Sequence, residues 1–321
     1  MTGIWTYVLL IVGFVLLIKG ADFFVEGSSG VAKKLKVPAL IIGMTIVAMG
    51  TSLPECAVSV AASIAGNNEL AVSNVVGSNI FNLMVVCGAC AMFCPLAVKV
   101  NILKKEFPFS ILMAGLLLVI GYIGMIVGRV DGVILLAVFT AFLVWMVCSA
   151  LHARKADKAL ELEAEEAVES SKEIPIWLCL IYIAGGAAAI ALGGNLVVDS
   201  ASAIATAFGL SQNLIGLTIV AMGTSLPELV TSIVAARKDE VDMALGNVIG
   251  SNIFNILFVL GVAATISPVA FIMENVIDIV ILMSMSIVVL GFAWSRKKIG
   301  RWEGLFMLLI YAGYMVYICV R

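Results

Sequence analysis

Two short blocks of this chain occur twice. Residues 43–55 read GMTIVAMGTSLPE and residues 216–228 read GLTIVAMGTSLPE; residues 74–82 read NVVGSNIFN and residues 247–255 read NVIGSNIFN. A single offset of 173 residues relates both pairs, and it also relates Pro95 to Pro268. A weaker echo, Gly128-Arg129-Val130-Asp131-Gly132 against Gly300-Arg301-Trp302-Glu303-Gly304, has slipped by one residue. The fold must therefore be assembled from two similar halves that each present the same two blocks.

Composition decides what surrounds those halves. Of 321 residues, 62% are hydrophobic and 12% charged, half the charge of a soluble domain. So few charges cannot coat a body of this size, which excludes a soluble enzyme, a nucleic-acid binder, a secreted disulfide scaffold and a disordered chain. Breaks between apolar runs give ten segments, at 4–30, 38–65, 70–94, 107–127, 131–150, 175–203, 212–236, 243–267, 274–294 and 302–320. Each can span a bilayer as a helix, which satisfies every backbone polar group internally. Five crossings per half is an odd number, so the second half enters the membrane upside down. The expected fold is an all-α polytopic membrane protein, ten transmembrane helices arranged as two inverted-topology five-helix repeats. The repeats are 1–150 and 175–321, and 151–174 is the linker. Inverted repeats belong to secondary transporters, with the substrate site between the repeats near the midplane.

Charge gives the orientation. Alternating sides places Lys33, Lys34, Lys36, Lys99, Lys104, Lys105, Arg154, Lys155, Lys158, Lys172, Arg237, Lys238, Arg296, Lys297, Lys298 and Arg301 together. The other side receives Arg129 and Arg321; Lys19 lies inside the first segment and is not counted. The positive-inside rule then predicts a cell-membrane protein with both termini outside and loop 151–174 in the cytoplasm. The first segment has no basic residue ahead of it and no clear cleavage site, so it reads as a retained span. The loop from His152 to Glu173 is rich in Ala and Glu but lacks the D-x-[DN]-x-[DN]-G spacing of a calcium loop. A solvated helical linker is the expectation.

The blocks carry the chemistry. Pro54 has no N–H, so the carbonyl of Gly50 loses its helical partner and the second span should bend or open there. Freed carbonyls, the hydroxyls of Thr51 and Ser52 and the carboxylate of Glu55 then form a cluster of hard oxygen donors. Thr51, Glu55 and Ser59 share one helix face. Gly223, Thr224, Ser225, Pro227, Glu228 and Ser232 repeat the arrangement. A mid-span carboxylate costs about 2.5–3.5 kcal/mol on insertion scales. Two at symmetric positions, with no Lys, Arg or His at matching depth, point to a transported cation as the countercharge; the bland alternative is a pair of hydrogen-bonded glutamates holding helices together. In the other block Asn74, Ser78 and Asn82, and in the second copy Asn247, Ser251 and Asn255, add neutral oxygens along one face. An all-oxygen set suits Ca²⁺ far better than zinc or copper. Two negative charges match one Ca²⁺, or two or three Na⁺ almost as well.

The paired GTSLPE and GSNIFN blocks resemble the alpha repeats of the cation/calcium exchanger superfamily, specifically its sodium/calcium exchangers of prokaryotic type. The resemblance covers the whole chain. It implies that Glu55 and Glu228 coordinate both Ca²⁺ and Na⁺. It also implies flanking sodium sites from Thr51, Ser52, Ser78, Thr224, Ser225 and Ser251, with carbonyls near Ala48 and Ala221, and middle amides from Asn82 and Asn255. Some members, potassium-dependent exchangers among them, carry Asp where this chain has Asn255, which argues against potassium co-transport. The short loop implies no calcium-sensing cytoplasmic domain.

The remaining residues bring no second chemistry. Cys87, Cys90 and Cys94 have a metal-like start to their spacing but read as small apolar residues on one helix face. His152 is the single histidine, and no P-loop is present, so ATP is not the direct driver. The expected activity is secondary antiport of Na⁺ against Ca²⁺ by alternating access. The chain is then not an enzyme and has no cofactor. Its partners are Ca²⁺, Na⁺ and the lipid bilayer, with no nucleic acid and no obligatory protein partner. The alternatives are a proton-coupled Ca²⁺ or cation antiporter and a potassium-dependent sodium/calcium exchanger. A channel or intramembrane protease fits less well, since an inverted pair in one chain builds no rotational pore and no catalytic dyad is present.

Overall fold

Uninterrupted apolar stretches form long helices, and proline, glycine and polar clusters end them. The computed structural model describes residues 4–65, 69–161, 174–210, 215, 218–219 and 221–321. Helix α1 covers Ile4–Leu35. The next span is broken into α2, Ala39–Thr51, and α3, Leu53–Ile64, which meet at 48°. Then follow α4, Ala71–Phe93, α5, Phe107–Tyr122, and α6, Arg129–Glu161. The second half holds α7, Ile176–Ala207, the short α8, Ala221–Gly223, α9, Leu226–Arg237, α10, Val241–Ile266, α11, Met273–Arg296, and α12, Arg301–Val320.

Among the described residues seven helices are long and apolar enough to cross a membrane, or eight with the bent pair as one span. Of the ten expected segments, two fall short of that length. One is α5, which a π turn at Ile102–Glu106 precedes and which ends at Tyr122 before the chain turns extended. The other is 212–236, of which 211–214, 216–217 and 220 lie outside the described residues. Several helix ends differ from expectation; α7, for one, runs to Ala207 and not 203. Helix α1 runs to Leu35, and α6 continues through the start of the linker to Glu161; linker residues 162–173 lie outside the described residues.

The bend between α2 and α3 falls on Ser52, at φ −84° and ψ 12°, two residues before Pro54. The equivalent break lies at Ser225, φ −94° and ψ 7°, before Pro227. Pro95 and Pro268 act at the other ends of the matching helices. The preceding residues, Cys94 and Ser267, are extended, as a following proline favours. The chain then enters strands β1, Leu96–Ala97, and β3, Val269–Ala270. Strands β2, Ile126–Val127, and β4, Lys298–Ile299, precede α6 and α12. Pairing is crossed between halves: β1 with β4, β3 with β2, both antiparallel.

Burial ranks the helices. In α4 and α10, 78% of the most apolar stretch is buried in the protein, against 11–39% in α1, α6, α7, α11 and α12. The helices carrying the NIFN blocks thus form the centre, and the others turn apolar faces outward. Trp5, Trp177 and Trp302 lie exposed in the first turns of α1, α7 and α12, where an aromatic belt would sit. Small residues set the closest approaches. A Cβ on Gly193 of α7 would stand 2.7 Å from the Gly13 carbonyl of α1, and one on Gly250 of α10 would stand 2.5 Å from Met44 Cα of α2.

Candidate cation site

The two bends bring the GTSLPE blocks against each other. Ala48, Thr51, Ser52, Glu55, Ser78, Asn82, Ser225, Glu228, Ser251 and Asn255 are all buried. Thr224 is half-buried, and Ala221 opens α8. Breaking the helix at Ser52 and Ser225 swings each serine hydroxyl toward the opposite half. Ser52 Oγ donates to Glu228 Oε1 at 2.7 Å, and Ser225 Oγ donates to Glu55 Oε1 at 2.8 Å. Each carboxylate is thereby held by the other repeat's serine. Thr51 lies beside Glu228 and Thr224 beside Glu55.

A second ring of contacts follows the same rule. Asn74 Nδ2 donates to Ser59 Oγ at 3.0 Å, and its mate Asn247 Nδ2 donates to Ser232 Oγ at 2.9 Å. Thr51 Oγ1 lies 3.1 Å from both the Val47 carbonyl and Asn247 Oδ1, and Ser251 Oγ donates to Asn247 Oδ1 at 3.5 Å. Asn79 Nδ2 donates to the Asn252 carbonyl at 3.1 Å and Asn252 Nδ2 to the Asn79 carbonyl at 3.2 Å. Asn79 and Asn252 are not among the residues that the sequence singles out. The one signal available for them is their place in the duplicated GSN triplet, at the shared offset. The Ala48 carbonyl, expected as an ion ligand, accepts the Ser52 N–H at 3.1 Å and lies 3.4 Å from Thr51 Oγ1.

The site is rich in oxygen and poor in counterparts. Glu55 Oε2, Glu228 Oε2, Ser78 Oγ, Asn82 Oδ1 and Asn255 Oδ1 are buried without a hydrogen-bond partner among the described residues. No basic side chain of the described residues pairs with either glutamate. The chain handles a buried carboxylate differently elsewhere: Asp278 of α11 receives Arg321 in a two-pronged pair, both contacts 3.0 Å. Two buried carboxylates left without a cation carry an uncompensated desolvation cost of several kcal/mol each. Their free oxygens, with amide and hydroxyl oxygens around them, are hard donors of the kind that hold Ca²⁺ or Na⁺.

The helices around the site depart from regular geometry at other places too. π turns occupy Gly43–Val47, Asn82–Val86 and Asn255–Val259. Two of the three start at the amides expected to line the site. A π turn inserts an extra residue into the helical ladder and is frequent at functional positions. No residue type demands it, so nothing in the sequence announces it.

Comparison with known proteins agrees with this geometry. The sequence profile of the family described as "Sodium/calcium exchanger protein" matches residues 5–148 and again 178–320. The chain is 32% identical over 344 residues to the sodium/calcium exchanger MaX1 of Methanosarcina acetivorans, covering 97% of both chains. It is 36% identical over 316 residues to the inner membrane protein YrbG of Escherichia coli, covering 97% of this chain and 95% of that one. Among solved structures, the sodium-calcium exchanger NCX_Mj soaked with zero Na⁺ and Ca²⁺ superposes with a TM-score of 0.84 at 32% identity, covering 99% of this chain and 100% of that one. The protein is a multi-pass helical membrane protein that belongs to the sodium/calcium exchanger family, in its prokaryotic form.

Proposed function

We propose that this protein is a secondary antiporter that exchanges Na⁺ for Ca²⁺ across the cell membrane. The observation that carries the reading is the crossed pair Ser52–Glu228 and Ser225–Glu55 at the junction of the two halves, with two buried carboxylates lacking a basic partner. Glu55 and Glu228 bind either Ca²⁺ or Na⁺, one excluding the other. Thr51, Ser52, Ser78, Thr224, Ser225 and Ser251, the amides of Asn82 and Asn255 and the carbonyls near Ala48 and Ala221 complete the shells. Occupancy cancels the charge of the site and permits the switch between outward and inward access. An empty, doubly charged site resists it, because the low-dielectric crossing is then unfavourable.

The architecture proposed for this activity is ten helices in two inverted five-helix repeats, residues 1–150 and 175–321, joined by 151–174. Crossed strand pairing and reciprocal side-chain contacts between halves support it, since a patch that meets its own copy implies a two-fold relation. Both termini lie outside and the linker in the cytoplasm, as the distribution of Lys and Arg favours. The chain moves ions and performs no covalent chemistry, and its partners are the two cations and the bilayer.

The test is uptake of radiolabelled Ca²⁺ into Na⁺-loaded proteoliposomes diluted into Na⁺-free buffer at fixed pH. Uptake should require the Na⁺ gradient, ignore K⁺ and survive a protonophore. Uptake driven by a proton gradient alone would replace Na⁺ with H⁺ as the coupling ion, and a requirement for K⁺ would make the protein a potassium-dependent exchanger.

A further inference from the structure

We infer that Asn79 is a positioning residue that decides which end of the Asn255 amide faces the transported ion. The inference rests on the exchanger reading above and assigns a role to a side chain outside the expected ligand set. An amide has two unlike ends: the oxygen attracts a cation and the NH₂ group repels it. For a neutral asparagine to serve as a ligand, something must choose between them.

The choice is made by two amides in series. Asn79, fully buried, spends its NH₂ end on the Asn252 carbonyl at 3.1 Å. Its Oδ1 end is therefore turned the other way, and it accepts from Asn255 Nδ2 at 3.2 Å. With the Asn255 NH₂ end so engaged, Asn255 Oδ1 points away from Asn79, buried and without a partner among the described residues. Asn255 sits one turn beyond Ser251 and two beyond Asn247, on the face whose Asn247 Oδ1 meets Thr51. Its free oxygen is thus presented on the site face.

The repeat-related position lacks this device. Asn252, the mate of Asn79, donates Nδ2 to the Asn79 carbonyl, but its Oδ1 accepts nothing among the described residues. Neither Oδ1 nor Nδ2 of Asn82, the mate of Asn255, has a partner there either. The two halves share the sequence GSNIFN, yet the structure orients one of its two terminal amides and leaves the other unconstrained.

The experiment is a cycle of four proteins: the wild type, Asn79→Ala, Asn255→Asp and the double variant. Each is reconstituted, and sodium-driven Ca²⁺ uptake gives a KM for Ca²⁺ and a maximal rate. A carboxylate at position 255 offers oxygen at both ends, so nothing remains to be steered. With Asn255 present, Asn79→Ala should raise the KM about 10-fold, the low end for losing a residue that orients a ligand, with the maximal rate within about two-fold. In the Asn255→Asp background, where Asn79 Oδ1 would face a carboxylate oxygen instead of an NH₂ group, the same substitution should leave the KM unchanged or lower it. A merely structural role would lower rates equally in both backgrounds. An equal rise of KM in both, or no rise with Asn255 present, overturns the assignment while leaving the exchanger reading intact. Absence of sodium-driven uptake in the wild type overturns both. If Asn79→Ala aggregates, Asn79→Leu, which fills the space without an acceptor, carries the same expectations.

Discussion

The crossed serines define what single residues contribute. Ser52 and Ser225 each give a hydrogen bond to the carboxylate of the other half, at 2.7 and 2.8 Å. A hydrogen bond to a charged group contributes about 1.5–3 kcal/mol, so Ser52→Ala and Ser225→Ala should each raise the KM for Ca²⁺ roughly 10-fold in uptake assays. Little change in either would mean that the serines do not position the glutamates. These residues are legible in the sequence because duplication, an apolar background and a proline coincide around them. The asparagines are legible only in part. Helical spacing marks Asn74, Ser78 and Asn82 as one face, but Asn79 is off that face and acts across the junction. Spacing within one helix cannot reveal which amide it meets on another.

Elements turn those residues into a site by failing to be ideal helices. The break at Ser52 follows from Pro54, which cannot supply the N–H that the Gly50 carbonyl needs. Pro54→Ala restores that donor and removes a penalty of about 3 kcal/mol against a continuous helix. The variant should remain folded, with a melting temperature in detergent at or above that of the wild type, while sodium-driven Ca²⁺ uptake falls at least about 10-fold. Uptake at the wild-type rate would mean that the bend is incidental. Proline makes this break visible in the sequence, as it does the helix ends at Cys94 and Ser267. The π turns at Asn82 and Asn255, both in the buried centre, are invisible there, since no residue type demands one. The helical start of the linker is legible, since 152–161 are rich in the helix formers Ala and Lys; that they continue α6 without a break is not, because hydropathy marks only where a span leaves the apolar layer.

At the scale of the molecule, both halves contribute to every part of the centre. Strands pair across, serines reach across, and Asn79 and Asn252 bond each other's backbone. The 173-residue offset makes the duplication legible in the chain itself, and the proposed inversion rests on the odd number of expected spans per half. How closely the halves interlock is not legible there, because contact between them depends on packing distances such as that at Gly250. The proposed orientation makes its own prediction. A cysteine placed at Ala164, in a variant free of the exposed Cys148 and Cys319, should react with a membrane-impermeant maleimide in inside-out vesicles and not in right-side-out ones. The reverse pattern would invert the topology and the direction assigned to each face.

In the proposed exchange, one site with two carboxylates serves both ions. Equilibrium binding of radiolabelled Ca²⁺ to the purified protein, titrated with Na⁺, tests it most directly, with the wild type beside Glu55→Gln and Glu228→Gln. Binding should be saturable and displaced competitively by Na⁺, which raises the apparent Kd without lowering capacity, and it should be lost in either variant. Binding that Na⁺ cannot displace, or that survives with wild-type affinity in both variants, would contradict a single shared site.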